Sequence, residues 1–238
     1  MRLLTYNIHK GIGGRDQRYR LDRVCDVIEE ENPDLLCLQE VSQQARRCGH
    51  DDQARLLVDY FHAVGHIYQR NHCRGNGGYG NLIVSRWPLV KHHQISLRFG
   101  DRKLRGAQMV VVDTPEGPLH LVNWHLGLAE VERRWQVDHL LTHALFRESA
   151  DLPTIIAGDT NDWRNTLAHG SFAAHHFQTS TAPPSRFRTF PAWMALGALD
   201  KVFHRGDISV RHARVISSHL ARRASDHLPL VLDFHLQA

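Results

Sequence analysis

Short apolar runs separated by polar segments occur along the whole chain. A run of about four to eight apolar residues is typical of a strand that is buried in a sheet. These runs and the turn residues between them predict strands at residues 2–8, 34–39, 64–69, 80–85, 89–97, 106–113, 118–125, 153–158, 199–204, 208–215 and 229–235. Strands therefore account for most of the predicted regular structure.

A second pattern, with apolar residues three and four positions apart, predicts helices between some of the strands. Residues 20–31 have this spacing, and Asn32-Pro33 ends it. Residues 51–62 and 129–148 predict two further helices, of which the second is the longest. The first strand, helix and strand predict a right-handed βαβ unit. The middle strands have no long helix between them, which predicts antiparallel pairing.

The order of these elements predicts an α/β fold that is built as one unit. No internal repeat, low-complexity tract or long linker divides the sequence, so residues 1–238 are expected to form a single domain. A mixed sheet order, with helices outside two packed sheets, accounts for the pattern of elements.

Composition is that of an ordinary globular protein. Hydrophobic residues make up 42% and charged residues 23%, which argues against intrinsic disorder. No apolar stretch approaches the roughly 18 residues that cross a membrane, and the first residues lack the apolar segment of a signal peptide. Cys25 and Cys37 lie inside apolar patterns, which is typical of reduced core cysteines. We therefore expect a cytoplasmic protein.

The net charge of +4 and the pI of about 9.0 suit a partner that carries phosphate. Nucleic acid, a lipid headgroup and a phosphosugar all fit this charge. Several arginines fall in or near the longest predicted loops, where they either contact phosphate or remain solvated surface charge. They are Arg15, Arg18, Arg20, Arg46, Arg47, Arg74, Arg98, Arg102 and Arg105.

The candidate chemistry lies in five polar clusters that adjoin apolar strands. The clusters are Asn7-Ile8-His9, Gln39-Glu40, Asn123-Trp124-His125, Asp159-Thr160-Asn161 and Ser225-Asp226-His227. Ligands of α/β proteins bind where strand ends converge, because loops there project side chains from a rigid base. We therefore expect the five clusters to meet at one site.

The residue types in these clusters favour one kind of metal and one kind of reaction. Carboxylates and amide oxygens without a thiolate favour a hard cation, either Mg²⁺ or Mn²⁺. Such a cation beside histidines suits hydrolysis of a phosphate ester, because the metal neutralises phosphate oxygens while a carboxylate or a histidine activates water.

Seven motifs occur in the order that is found in one enzyme family. They are TYNIH at 5–9, PDLLCLQEV at 33–41, GYGNLIVSRWPL at 78–89, VNWHL at 122–126, IIAGDTND at 155–162, ALDKVF at 198–203 and SDHLPL at 225–230. They extend over nearly the whole chain, which resembles a bacterial member of the endonuclease/exonuclease/phosphatase superfamily, a group that includes deoxyribonuclease I. The resemblance implies a four-layer α/β/β/α sandwich, with two mixed β-sheets packed face to face and helices outside. It also implies an Mg²⁺-dependent hydrolase that acts on phosphate ester bonds.

The resemblance implies a metal site and a substrate contact. By this resemblance Glu40 is the principal metal ligand, and Asn7 lies beside the metal and helps to hold the phosphate or a metal-bound water. Asp226 resembles a second acidic group near the metal. The expected cofactor is Mg²⁺, with Mn²⁺ as the other possibility. Asn81 is the predicted substrate-binding residue.

The resemblance also implies five catalytic residues. Asp159 and Asn161 would orient the attacking water and the phosphate. His227 resembles the essential histidine of the family, and Asp200 the acid that holds its tautomer and stabilises its cation. His125 would bind phosphate or protonate the leaving oxygen.

The motifs predict the reaction and leave the substrate open. The first hypothesis is a phosphodiesterase that hydrolyses nucleic acid by metal-assisted attack of water. The alternative is a phospholipid or small-molecule phosphodiesterase, or a phosphatase. A catalytically inactive phosphate-binding protein comes last, because Glu40, Asp159 and His227 are all present. The expected partner is thus the phosphate-ester substrate, nucleic acid or lipid, and the expected state is a monomer.

Apolar side chains in the loop at residues 178–197 bear on this choice. Phe187, Phe190, Trp193 and Met194 could stack on a nucleic acid base, enter a lipid interface or cap the core.

Overall fold

The computed structural model describes residues 1–75 and 77–237, without the side chains of Arg74 and His169. The strands are β1 (Arg2–Asn7), β2 (Leu35–Gln43), β3 (Gly65–Arg74), β4 (Gly77–Ser85), β5 (Leu89–Ser96), β6 (Gly106–Thr114), β7 (Gly117–His125), β8 (Thr154–Asp159), β9 (Gln178–Thr179), β10 (Asp200–Arg205), β11 (Ile208–Val215) and β12 (Leu230–Leu236). The α-helices are α1 (Leu21–Glu31), α2 (Gln53–Tyr60), α3 (Glu130–Thr142), α4 (Ala144–Arg147), α5 (Ser171–Ala174) and α6 (Ala221–Ala224). Short 3-10 helices lie at His9–Gly11, Arg46–Cys48, Leu167–His169 and Pro184–Arg186.

The strands form two six-stranded sheets of mixed direction. The first has the order β11-β12-β1-β2-β4-β3, and the second has the order β5-β6-β7-β8-β10-β9. β1 and β2 pair in parallel with α1 between them, which confirms the predicted βαβ unit. β5, β6 and β7 pair antiparallel, as their short connections predicted.

The two sheets pack face to face because strand residues alternate between the two sides of each sheet. On β1, Leu3 points into the core between the sheets, whereas Leu4 points to the outer face. From the second sheet, Val110, Leu121 and Ile155 fill the same inner core. The predicted packing of two mixed sheets is thus confirmed.

Helices cover the outer face of each sheet and complete the four layers. Val24 and Ile28 of α1, with Leu57 of α2, pack on the outside of the first sheet. Val137 of α3 and Phe172 of α5 pack on the outside of the second. The central strands β1, β6 and β8 are therefore buried on both faces, which explains their continuous apolar runs in the sequence.

The predicted helix at residues 129–148 is wrong in one respect, because it is two helices. α3 ends at Thr142, and His143 takes an extended conformation with ψ of 136°. The His143 side chain then accepts a hydrogen bond from the backbone N–H of Leu145 and caps α4. The apolar periodicity continues through the break, so it could not reveal the capping interaction.

A layer of buried amides crosses between the sheets just below one end of the strands. Gln39 Nε2 donates to Asn123 Oδ1 at 2.8 Å and to Thr5 Oγ1 at 3.1 Å. Asn123 Nδ2 in turn donates to the carbonyl of Leu38 and to Oε1 of Gln108. These bonds hold the two sheets in register beneath the residues described next.

Candidate functional site

The site is built on neighbouring strand ends of the second sheet. His125, the last residue of β7, is paired with Asp159, the last residue of β8. Asp200, the first residue of β10, is paired with Asp159 from the other side. The sheet register thus lines up three of the predicted catalytic residues in one row.

Asp159 is the centre of the cluster. Its Oδ2 accepts a hydrogen bond from Asn7 Nδ2 at 3.0 Å and lies 3.3 Å from His125 Nε2 and 3.7 Å from His227 Nε2. Its Oδ1 accepts from the backbone N–H of Asn161 at 2.9 Å. Side chains from both sheets therefore converge on one buried carboxylate.

His227 and Asp200 form a buried dyad beside Asp159. His227 Nδ1 lies 2.8 Å from Asp200 Oδ2, which also accepts a hydrogen bond from Thr189 Oγ1 at 2.5 Å. The Nδ1–H of the histidine is the donor here, because the aspartate oxygen can only accept. This bond leaves Nε2 of His227 facing Asp159.

Burial and neighbouring charges give the three central groups different protonation states. Burial alone would lower the pKa of His227, but the carboxylates of Asp200 and Asp159 raise it to about 10. Burial raises the pKa of Asp159, and the charge of His227 opposes this. Burial, followed by the positive charge of Arg105, lowers the pKa of His125 well below its usual value. At neutral pH His227 is thus charged and His125 is neutral.

Asn161 holds the loop that follows β8. Its backbone has a positive φ of 51°, and its Nδ2 donates to the carbonyl of Leu126 at 2.9 Å. The peptide N–H is thereby directed at Asp159. In this structure Asn161 fixes the orientation of the central carboxylate.

Two loops of the site are tied to each other and to β1. Ser225 Oγ donates to the carbonyl of Asn7 at 2.7 Å, and Leu228 N donates to the carbonyl of Thr189 at 2.8 Å. The ring of Phe190 lies against the His227 imidazole with 4.8 Å between centroids. His227 is therefore fixed by backbone, side-chain and ring contacts.

Glu40 lies at a β-bulge in β2. The register of β2 on β4 shifts between Leu38 and Val41, and Glu40 has a positive φ of 56°. A left-handed conformation is costly for a residue with a side chain and is found mainly where function requires it. The bulge is thus a local irregularity of a kind that often re-aims a side chain near an active site.

The carboxylate of Glu40 already holds a cation. The ammonium group of Lys10 forms an ion pair with Glu40 Oε2. Burial alone would raise the pKa of Glu40, but Lys10, and then His125, lower it far below its usual value. A largely buried carboxylate that stays ionised fits a ligand of a divalent metal ion, which would take the place of the Lys10 ammonium group.

A second cluster also meets the geometry of a metal site. Among the described residues, Asp159, Asp200 and His227 bring potential ligand atoms within 4.8 Å of one another. Because Nδ1 of His227 donates to Asp200, Nε2 is the ring nitrogen that remains for another partner. Asp200 Oδ1 is buried without a hydrogen-bond partner among the described residues, so this cluster is also a candidate metal site.

The two remaining predicted residues lie at the margin of this cluster. The Asp226 carboxylate lies 3.8 Å from His9 Nδ1 and remains partly exposed. Asn81 is buried, and its Nδ2 donates to the carbonyl of Gly106 at 3.1 Å. The metal role of Asp226 and the substrate role of Asn81 stay predictions. Arg74 lies outside the described side chains.

Sequence reasoning missed several residues of the site. Lys10 directly follows the first motif, and its position next to Glu40 depends on two positive-φ residues, His9 and Lys10 itself. Lys201 is buried, and its Nζ donates to the carbonyl oxygens of Asp162 and Ala198. Thr189 carries no sequence signal, since it reaches Asp200 only through the folding of a loop.

Comparison with solved structures first defines the class of fold. An endonuclease/exonuclease/phosphatase from Beutenbergia cavernae superposes with a TM-score of 0.81 at 23% identity, covering 100% of this chain and 72% of that one. A mannosyl-6-phosphatase of Bacteroides thetaiotaomicron superposes with a TM-score of 0.74 at 15% identity, covering 98% and 99%. The α/β fold with two mixed sheets is shared with these proteins.

Comparison of sequences then identifies the family. The Escherichia coli K12 protein YbhP is 27% identical over 253 residues, which cover 99% of this chain and 96% of that protein. The profile of the Endonuclease/Exonuclease/phosphatase family matches residues 4–227. The chain belongs to this family, whose members hydrolyse phosphoester bonds and generally depend on a divalent metal. No described helix is both long and apolar enough to cross a bilayer.

Proposed function

We propose that this protein is an Mg²⁺-dependent phosphodiesterase that hydrolyses nucleic acid with water as the nucleophile. The observation that carries the proposal is the position of Asp159, whose Oδ2 lies within 3.7 Å of nitrogens of Asn7, His125 and His227. A carboxylate with a raised pKa beside a protonated histidine supplies the base and the acid that ester hydrolysis needs.

In this mechanism Asp159 takes a proton from the attacking water, because its raised pKa makes it a stronger base than an ordinary aspartate. The water oxygen bonds to phosphorus as the bond from phosphorus to the leaving oxygen breaks. His227 donates a proton to the leaving oxygen, while Asp200 keeps the imidazole oriented. The proton that Asp159 has gained can return to His227 Nε2, which is 3.7 Å away.

His125 and Glu40 have supporting roles. His125 is neutral and buried, so it holds a phosphate oxygen through a ring N–H rather than acting as the acid. Glu40 is the proposed ligand of the metal, with Asn7 and Asp226 beside it. Mg²⁺ bound there would neutralise phosphate oxygens as charge develops on them.

Two observations support nucleic acid as the substrate. The chain has a net charge of +4, which favours a polyanion. Trp163 is 53% exposed and packs edge-on against Phe190, which itself contacts His227. An exposed indole that packs on a neighbour of His227 can stack on a base that flanks the scissile phosphate.

A phospholipid is the second candidate, and a different group of side chains favours it. Trp193, Met194 and Leu196 are 46%, 48% and 53% exposed on the same loop as Phe190. Arg222 donates to the carbonyl of Ala192 and so places a positive charge beside them. Exposed apolar residues with a cationic border suit an anionic lipid surface. Phe187, in contrast, packs in the core between the sheets.

Hydrolysis of a substrate panel tests the proposal. The panel contains single- and double-stranded DNA, RNA, bis-p-nitrophenyl phosphate, sphingomyelin, cardiolipin and inositol phosphates, each with Mg²⁺, Mn²⁺ or EDTA. We expect metal-dependent cleavage of nucleic acid that Glu40→Ala and His227→Ala abolish and that exposed Asp207→Ala retains. Cleavage by the two site variants at the parental rate would refute the mechanism.

Two variants separate the candidate substrates. Trp163→Ala should slow cleavage of single-stranded DNA and leave cleavage of lipid vesicles unchanged. Trp193→Ala should instead slow cleavage of vesicles if the second candidate is correct. Preferred cleavage of phosphomonoesters, such as the sugar phosphates that a mannosyl-6-phosphatase acts on, would make the protein a phosphatase.

We also propose that the protein is a cytoplasmic monomer. Cys25, Cys37, Cys48 and Cys73 are all free thiols, which suits a reducing compartment. Light scattering during size-exclusion chromatography should give the mass of one chain, 27.3 kDa. Fractionation of cells should place the protein with cytoplasmic markers.

A further inference from the structure

Arg105 is a buried arginine without an anionic partner. Arg105 is only 6% exposed, and its Nε is buried without a hydrogen-bond acceptor. Within residues 1–75 and 77–237, no carboxylate lies within 4.0 Å of its guanidinium, and no side-chain hydrogen bond satisfies it. A buried positive charge is costly unless an anion compensates it. The folded protein therefore retains an unsatisfied site for an anion.

The backbone around Arg105 is held firmly at the catalytic end of the second sheet. Its carbonyl accepts a hydrogen bond from Leu97 N at 2.9 Å, and Asn81 Nδ2 donates to the next carbonyl, that of Gly106. β6 begins at Gly106 and runs antiparallel to β7, which ends at His125. Arg105 and His125 thus lie at the same end of neighbouring strands.

A second unmatched cation lies close to Arg105. Lys103 Nζ lies over the ring of Tyr79, 5.2 Å from its centroid, and Lys10 Nζ lies over the same ring at 4.7 Å. Lys10 is neutralised by Glu40. In the described part of the chain Lys103 has no carboxylate partner. The ring of Tyr79 therefore contacts two ammonium groups, and of these only that of Lys10 has a carboxylate partner among the described residues.

Electrostatic effects on neighbouring groups agree with this placement. Partial desolvation of its ammonium group, followed by the charge of Arg105, lowers the pKa of Lys103, while Glu40 opposes this. Among the charged groups that act on His125, Arg105 has the largest effect, followed by Glu40. The two cations are thus near each other and near both His125 and the proposed metal ligand.

We propose that Arg105 and Lys103 bind a second phosphate group of the substrate, next to the phosphate that is hydrolysed. This inference rests on the proposed function and narrows its substrate class to molecules that carry two neighbouring phosphates. Arginine supplies a planar fork of donors and lysine a mobile point charge, a combination that fits a phosphate at the edge of a reaction centre. An oligonucleotide and a bisphosphorylated small molecule both offer this chemistry.

The kinetic test compares substrates with and without the second phosphate. The dinucleotide ApA is compared with its 5′-phosphorylated form pApA, and, as the sugar pair, inositol 4-phosphate with inositol 4,5-bisphosphate, whose phosphates lie on adjacent ring carbons. Wild-type protein, Arg105→Gln, Lys103→Gln and the control Arg147→Gln are assayed; Arg147 is exposed on α4. We expect Arg105→Gln to lower kcat/KM on the two-phosphate substrate about tenfold more than on its one-phosphate counterpart, through KM, as loss of a charge-assisted hydrogen bond predicts.

The pattern of losses distinguishes the possible outcomes. A differential loss within the dinucleotide pair assigns the second phosphate to nucleic acid, and one within the sugar pair assigns it to a small molecule. Equal losses on both members of a pair mean that Arg105 acts on the scissile phosphate, and they overturn the proposal. No loss for Arg105→Gln on any substrate also overturns it.

A binding measurement separates failure of this inference from failure of the proposed function. Affinity for inorganic phosphate is measured by calorimetry in EDTA, with the same four proteins. If no substrate is cleaved by the wild type, the proposed function fails, but phosphate affinity about tenfold weaker in Arg105→Gln still supports an anion site at Arg105. Equal affinity in Arg105→Gln and the wild type overturns the subsite.

The melting temperature without phosphate excludes a structural role for Arg105. Removal of an unpaired buried charge should leave the melting temperature of Arg105→Gln unchanged or raise it. A lower melting temperature together with unchanged phosphate affinity would mean that Arg105 supports the fold instead.

Discussion

His227 Nδ1 and Asp200 Oδ2 lie 2.8 Å apart, although the two residues are 27 positions apart along the chain. Both groups are buried, and the second ring nitrogen of His227 faces Asp159. The histidine is therefore held as a cation between two carboxylates. Several properties of the site depend on this arrangement.

Asp200→Asn should lower kcat on bis-p-nitrophenyl phosphate by about 10²- to 10⁴-fold, since the amide no longer stabilises the imidazolium or fixes its tautomer. The pKa of His227, followed by NMR of the ring protons, should fall from about 10. Exposed Asp207→Asn is the control and should change neither quantity. A parental rate in Asp200→Asn would show that the dyad is not used.

The pH dependence of kcat should be bell-shaped. Asp159 must be ionised to act as the base, so activity is lost as pH falls through its raised pKa. His227 must be protonated to act as the acid, so activity is lost as pH rises through about 10. Asp200→Asn should move the alkaline limb to lower pH. An alkaline limb that stays in place in this variant would exclude His227 as its origin.

Lys10→Met should bind Mn²⁺ more tightly than the wild type, by about tenfold, because the ammonium group no longer competes for Glu40. Without metal the same variant should be less stable, since the largely buried Glu40 carboxylate loses its partner. Calorimetric titration and thermal unfolding measure the two effects. Glu40→Gln is the matched variant and should abolish Mn²⁺ binding. Weaker binding in Lys10→Met would mean that Lys10 assists the metal.

Lys201→Met should unfold more easily by about 1–3 kcal/mol, because the carbonyl oxygens of Asp162 and Ala198 lose their donor. These bonds also anchor the loop that follows Asp159, so kcat should fall as well. Lys91→Met is the control, and loss of its partly exposed ion pair with Glu148 should cost less than about 1 kcal/mol. Unchanged chemical denaturation of Lys201→Met would show that the loop is held by other contacts.

Much of the fold was predictable because it depends on local pattern. The apolar runs identified β1, β8 and β12 to within about two residues, since strands buried on both faces are continuously apolar. The prediction of a single helix at 129–148 was wrong at His143, where a side-chain cap starts a new helix without disturbing the apolar spacing. The strand predicted at 34–39 continues through a bulge to Gln43, which apolar content alone could not indicate.

The order of amino acids was enough to indicate which residues are available for chemistry and that they adjoin strands, as with Asp159 and His125. Their charge states and partners depend on how the chain folds. Parallel and antiparallel pairing of β7, β8 and β10 aligned His125, Asp159 and Asp200, and burial then separated their pKa values. Folding also brings Lys10, Arg105 and Thr189 to the site. Their effects on the site depend on distance and burial and not on position along the chain.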